Sequence, residues 1–230
     1  MSRPRLSRID SWGNYEARVL KVIVLALEIL RSKNPNLTEE NEDQLNYELY
    51  FCMLEAVRRL GGSESGIESP PVYDCINQPL EDEGHLDVAR KKRPDFLWGY
   101  IDHTEPDPRR SARHYYVECK RLGAPARSDW VFNKNYVING VLRFIQREWN
   151  YGRASSSGTM IGYVQSMAGD SILVEVNEEL RNSGVREIRI SCEGWQGEGV
   201  SNLEHKLDRK QIVPPSFTLR HYWVDLRVAD

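Results

Sequence analysis

Apolar residues recur at three- and four-residue spacing from about Tyr15 to Lys33. Val19, Val22, Ile23, Ala26, Leu27 and Leu30 make one helical face, and Asn34-Pro35-Asn36 ends the helix. Thr38 is a candidate N-cap for a second helix that runs to about Leu60, where Gly61-Gly62 stops it. A Gly/Ser/Pro loop covers Ser63 to Pro71, Val72 to Ile76 reads as a first strand, and Glu81 to Gly84 as a polar turn. Phe96 to Ile101 and His114 to Glu118 read as strands joined across a charged, proline-bearing loop from Thr104 to Arg110. Asn133 to Trp149 is expected to be helical, with Val137, Val141, Phe144 and Ile145 on one face. Ser155 to Gly158 then reads as a turn, Met160 to Val164 as a buried strand, and Ser171 to Arg181 as a helix capped by Asp170. Ile188 to Ser191 and the aromatic stretch Phe217 to Val228 close the chain as strands.

This alternation of helices and strands predicts a mixed α/β fold, a central sheet flanked by helices. No repeat, coiled coil or low-complexity tract interrupts it, and 230 residues suit one domain spanning 1–230. A hydrophobic content of 40% allows a core large enough to hold a few charges and excludes a disordered chain. The stretch from Val19 to Leu30 carries Lys21 and Glu28 and is too short to span a bilayer, so no membrane association is expected. Cys52, Cys75, Cys119 and Cys192 form no CxxC pair, which argues against zinc and fits a reducing cytoplasm. A net charge of -3 does not mark a nucleic-acid binder. Two local basic runs qualify that, Arg90-Lys91-Lys92-Arg93 and Arg109-Arg110, although such runs are as readily solvated loops.

Charge sits where a buried strand should have none. Strand periodicity puts Glu118 and Lys120 on one face and Cys119 on the other. A carboxylate and an ammonium in a sheet interior must be paired, hydrated or bound to something, since burying either alone is costly. A plain structural ion pair satisfies that condition. Asp95 adds a second carboxylate at the start of the neighbouring strand, within reach of Glu118 if the two strands are antiparallel. Two carboxylates held together repel unless a cation separates them, and an oxygen-only ligand set suits Mg²⁺ or Mn²⁺. On the second helix, at 100° per residue from Leu45, Glu42 falls at about 60°, inside the arc of Leu49, Cys52, Met53, Ala56 and Leu60. Two roles stand open for it: a first-turn partner of the helix dipole, or a carboxylate aimed at the metal.

Pro94-Asp95, followed 23 positions later by Glu118-Cys119-Lys120, resembles the signature of the PD-(D/E)XK nuclease superfamily, the restriction-endonuclease-like fold. In that family a helix bearing an acid precedes a hairpin carrying the Asp and the Glu-x-Lys, and a further helix and strand follow. Residues from about 38 to 165 match that order, leaving about 166–230 as a helix and strand extension. The resemblance implies that Asp95, Glu118 and the backbone carbonyl of Cys119 ligate Mg²⁺ or Mn²⁺, that Lys120 positions or activates water, and that Glu42 is the helix acid. It implies a metal-dependent nuclease acting on phosphodiester bonds of DNA, with restriction or antiviral defence as the setting of many such proteins. A catalytically inactive module of the same fold, used for nucleic-acid binding or assembly, is the alternative.

On that reading Arg90, Lys91, Lys92, Arg93, Arg109 and Arg110 hold flanking phosphates. Arg143 and Gln146, with Lys134 and Arg147, contact the backbone from the helix beyond. Arg153 and the Ser155–Gly158 turn are weaker phosphate candidates, His114 shares the face of Glu118, and Trp130 and Trp149 could stack on bases or simply pack. No separate reader of sequence is visible, so a homodimer or a partner protein is expected to supply target recognition.

Overall fold

The computed structural model describes residues 12–33, 37–61, 67, 69–74, 76, 92–125, 130–190 and 199–227. Among these, four α-helices pack against an open six-stranded mixed sheet. The helices are α1 (Trp12–Lys33), α2 (Glu42–Leu60), α3 (Phe132–Ile138) and α4 (Gly169–Asn182). The strands are β1 (Val72–Tyr73), β2 (Phe96–Ile101), β3 (Ala112–Leu122), β4 (Ser157–Val164), β5 (Val200–Asp208) and β6 (Ser216–Asp225). Their spatial order is β1-β2-β3-β4-β6-β5. The first three are antiparallel, β3-β4 and β4-β6 are parallel, and β5 closes the far edge antiparallel to β6.

Side-chain alternation divides the sheet into two cores. Tyr115, Val117 and Cys119 face α1 and α2, joining Val19, Ile23, Leu45, Leu49 and Met53. Tyr116 and Leu122 face α3 and α4, with Val137, Phe144, Ile172 and Val176. Glu118 and Lys120, between Tyr116 and Leu122 by parity, therefore start from the α3/α4 face of the sheet.

The helical faces of α1 and α2 follow their sequence spacing, but α2 begins later than Thr38 suggests. Asn41 Oδ1 accepts from Gln44 N at 2.9 Å and takes the N-cap, which makes Glu42 the first helical residue. The expected strand Val72–Ile76 is cut to two residues, since Asp74 adopts φ 46°, outside the strand region. Of the expected strand Ile188–Ser191, Ser191 lies outside the described residues and the rest keeps a single bridge, Arg189 to Glu204. Helix α4 starts at Gly169 behind Ala168, with no side-chain cap from Asp170.

The largest correction concerns Asn133–Trp149. Helix α3 ends at Ile138, and a 3-10 turn over Val141–Phe144 follows. Gly140 breaks the helix at φ -129°, ψ -83°. A Cβ there would lie 2.4 Å from the Tyr136 carbonyl oxygen and 2.5 Å from Met160 Cε, so only glycine lets the chain turn this close to β4. The turn expected at Ser155–Gly158 is also partly strand. Gly158 lies against Phe144 and Phe217, where a Cβ would come within 2.8 Å and 3.1 Å, so small residues carry a fully buried strand through a crowded core.

Arg90, Lys91, Cys75, Cys192 and the Glu81–Gly84 turn lie outside the described residues. Among the described residues no helix is long and apolar enough to cross a membrane.

Candidate active site

Strand β2 stops pairing at Phe96, opposite Val117, so from Glu118 to Leu122 strand β3 is bonded in register only to β4. Asp95 stands at that opening. Its Oδ2 accepts the Cys119 N–H at 2.7 Å, so a side-chain carboxylate takes over where the β2 ladder ends. This gives Asp95 a fixed position beside Glu118, as the antiparallel hairpin predicts.

Lys120 uses the same opening. Its ammonium donates to Glu42 Oε1 at 2.6 Å and to the Cys119 carbonyl at 2.7 Å, and lies 3.0 Å from Glu118 Oε1 and 3.9 Å from Asp95 Oδ2. Glu42, Asp95 and Glu118 come from α2, the approach to β2, and β3, and they converge on one cation. The first turn of α2 aims Glu42 at Lys120, from a helix N-terminus where a carboxylate also suits the dipole.

Glu118 is fully buried and Lys120 nearly so. Glu118 Oε1 also takes the Arg143 guanidinium, while Glu118 Oε2 has no hydrogen-bond partner among the described residues. Burial raises the Asp95 carboxyl well above the ordinary carboxylate range, and the neighbouring Glu118 charge pushes the same way. Burial likewise raises Glu118, against the pull of Lys120 and Arg143. For Lys120 burial works downward, but Glu118, Asp95 and Glu42 together outweigh it and its pKa ends above the usual value. Lys120 is therefore a charged ammonium with no lone pair. It can donate to a water or a phosphate oxygen, and it cannot accept a proton in that state.

Among the described residues no three His, Cys, Asp or Glu side chains gather as a metal-ligand group. A Mg²⁺-type cation does not require three, because it keeps several waters and is held by one or two carboxylates. Asp95, Glu118 and the Cys119 carbonyl are the residues that could hold it. The buried, unpartnered Glu118 Oε2 is the feature of this structure that fits such a ligand, since a bare carboxylate oxygen in the interior is expensive.

The other predicted residues divide sharply. Arg143 is not on a helix face turned to solvent; the break at Gly140 brings it onto Glu118, and its guanidinium carbon lies 4.1 Å from the Trp149 ring centre. Lys92 Nζ lies 3.8 Å from the same ring, so Trp149 packs beside the site as a platform for two cations. Of the two uses the sequence left open for Trp149, stacking on bases or packing, the structure shows it packed against these cations. Gln146 is half-buried, and its backbone carbonyl accepts from Trp149 N at 3.2 Å, while Arg147 and Lys134 are exposed. Arg93 pairs with Asp74 at 3.0 Å on the surface. Arg109 and Arg110 lie 3.6 Å and 3.8 Å from Asp107 in the β2–β3 loop. They sit at the opposite end of β3 from Lys120, about 25 Å away at the usual rise of a strand, so they are not part of the carboxylate cluster. His114 is four residues from Glu118, about 13 Å along the strand, and packs edge-on against Tyr116 instead. Trp130 is exposed. The Cys119 thiol is buried on the α1/α2 face and raised well above its usual pKa by burial, so Cys119 offers this site its backbone alone.

Comparison of the chain with protein-family models, curated proteins and solved structures found no match.

Proposed function

We propose that the protein is a divalent-metal-dependent nuclease hydrolysing phosphodiester bonds of DNA. The observation that carries the reading is the convergence of Glu42, Asp95 and Glu118 within 4 Å of the Lys120 ammonium at the open edge of β3. The order α2-β1-β2-β3-α3-β4, with β3 and β4 parallel, supports it too, being similar to the order of the restriction-endonuclease-like fold.

Asp95, Glu118 and the Cys119 carbonyl would hold Mg²⁺ or Mn²⁺, which supplies activation of water and neutralisation of charge on the scissile phosphate. Asp95 is oriented by the Cys119 N–H, and Glu118 is kept dry on the α3/α4 side of the sheet. Lys120, fixed by Glu42, donates to the attacking water or to a phosphate oxygen as negative charge builds there. Lys92, beside Trp149, adds positive charge on the approach to the site and makes binding salt-sensitive.

A second reading is favoured by one specific feature: Lys120 and Arg143 already lie on Glu118, as in a structural ion-pair cluster of a non-catalytic module. Supercoiled plasmid and single-stranded DNA, each incubated with Mg²⁺, with Mn²⁺ and with EDTA, separate the two. Cleavage only with a divalent cation supports the nuclease. A folded protein that leaves both substrates intact in every condition and binds no Mn²⁺ is the structural module.

A further inference from the structure

Arg143 and Glu118 make an incomplete pair. An arginine meeting a carboxylate squarely gives two parallel hydrogen bonds, which satisfy both oxygens and two guanidinium nitrogens. Here one Nη1 meets Oε1 alone. Glu118 Oε2 and Arg143 Nε are each buried and have no hydrogen-bond partner among the described residues. Both members of the pair therefore keep a buried polar atom free, which costs stability unless another partner comes at some stage of the protein's work.

The charges point to those partners. Glu42, Asp95 and Glu118 face Lys120 and Arg143, so the ionised cluster keeps one net negative charge. A divalent cation on Glu118 would reverse that sign and leave Arg143 beside a positive centre. Arg143 has somewhere to go, because its side chain is 18% exposed and its guanidinium carbon sits over the Trp149 ring, 4.1 Å from the ring centre. A guanidinium supported on an aromatic face keeps its fork of donors for an anion with paired oxygens, and a phosphate is such an anion.

We infer that Arg143 is a displaceable counter-cation: it holds Glu118 while no divalent cation is bound, and it is handed to a nucleic-acid phosphate when one binds. This rests on the metal-dependent reading above. Arg143 then couples the two ligands, since whatever takes it off Glu118 opens the carboxylate to the cation, and the cation frees Arg143 for the phosphate. The coupling must be reciprocal.

The test is calorimetric titration of Mn²⁺ into the wild type, Arg143→Gln and Arg143→Lys without nucleic acid. The expected result is tighter Mn²⁺ binding by Arg143→Gln, about tenfold, within the usual range of coupling between sites. Arg143→Lys, which keeps the charge without the fork, falls between and covers a glutamine variant that fails to fold. Equal affinity in all three, or weaker binding by Arg143→Gln, overturns the inference and leaves the metal site standing. No Mn²⁺ binding by any of them overturns the metal site, and the inference with it. Binding of a duplex oligonucleotide is then compared in Ca²⁺ and in EDTA. The wild type gains more affinity from Ca²⁺ than Arg143→Gln does; an equal gain in both removes the phosphate from the proposal.

Discussion

His205 on β5 and His221 on β6 lie side by side under α3 and α4, with ring centres 5.5 Å apart and almost no exposure. His205 Nε2 donates to the Arg186 carbonyl at 2.6 Å, leaving a bare Nδ1. Trp223 Nε1 donates to Tyr136 OH at 3.0 Å, and Tyr136 OH and His221 Nδ1 share a hydrogen bond at 2.7 Å. Neither ring has a carboxylate partner among the described residues, and both are held neutral. Burial lowers His205 to about 4, and burial followed by the neighbouring His205 takes His221 well below its usual value. The unfolded chain, with histidines near pKa 6.5, binds protons that the native state refuses. Stability is therefore complete above about pH 6.5 and falls as the pH drops toward 4. For His205 alone the linkage gives a loss of about 2 kcal/mol between pH 7.5 and pH 5, or roughly 4–8 °C in Tm for a chain of this size. His205→Gln keeps a donor for the Arg186 carbonyl and removes the titration. Urea unfolding of both proteins in EDTA, at pH 7.5 and pH 5, should show the wild type losing about 2 kcal/mol more than the variant. An equal loss in the two proteins would refute the reasoning, because His205 would then accept its proton in the folded state without penalty.

Three further substitutions probe how the fold holds the site. Gly140→Ala forces a methyl against the Tyr136 carbonyl and Met160, and is expected to cost about 1–3 kcal/mol in urea unfolding; a neutral result would mean that the turn does not approach β4 so closely. Glu42→Gln removes a half-exposed carboxylate, so thermal unfolding should shift by less than about 1 kcal/mol, whereas cleavage should fall about 10- to 100-fold because Lys120 loses its orienting partner. Arg209 is buried and donates to the carbonyls of Tyr151, Gly152 and Pro214, so Arg209→Leu should destabilise by more than about 3 kcal/mol, measured by guanidinium unfolding.

The candidate site was legible where short-range periodicity decides geometry. Pro94-Asp95 directly precedes one strand and Glu118-x-Lys120 lies on the next, so antiparallel pairing of the two strands brings the acids together. Glu42 was legible because its helix has one apolar face. Strand β5 was missed, although Leu203, His205 and Leu207 alternate with Asn202, Glu204, Lys206 and Asp208. Two of its inward positions, Ser201 and His205, are polar, and the hydrophobic signal fades there. The start of β4 was hidden for a related reason: Ser157-Gly158-Thr159 looks like a turn, and only the phenylalanines packed on it show why small residues stand there. Arg143 needed the break at Asn139-Gly140. That pair is a stop signal in its own right, but the apolar spacing of Val141 and Phe144 ran past it and concealed it.

The most direct measurement is nicking of supercoiled plasmid in Mn²⁺ by the wild type beside Asp95→Asn and Lys120→Gln. Asp95→Asn keeps the shape of the side chain and removes its charge, Lys120→Gln removes the ammonium and leaves a shorter polar side chain, and circular dichroism verifies the fold of each. The account predicts metal-dependent nicking by the wild type and its loss in both variants. Nicking that persists at the wild-type rate in either folded variant would contradict it, because the hydrolysis would then take place away from the Asp95–Glu118–Lys120 cluster.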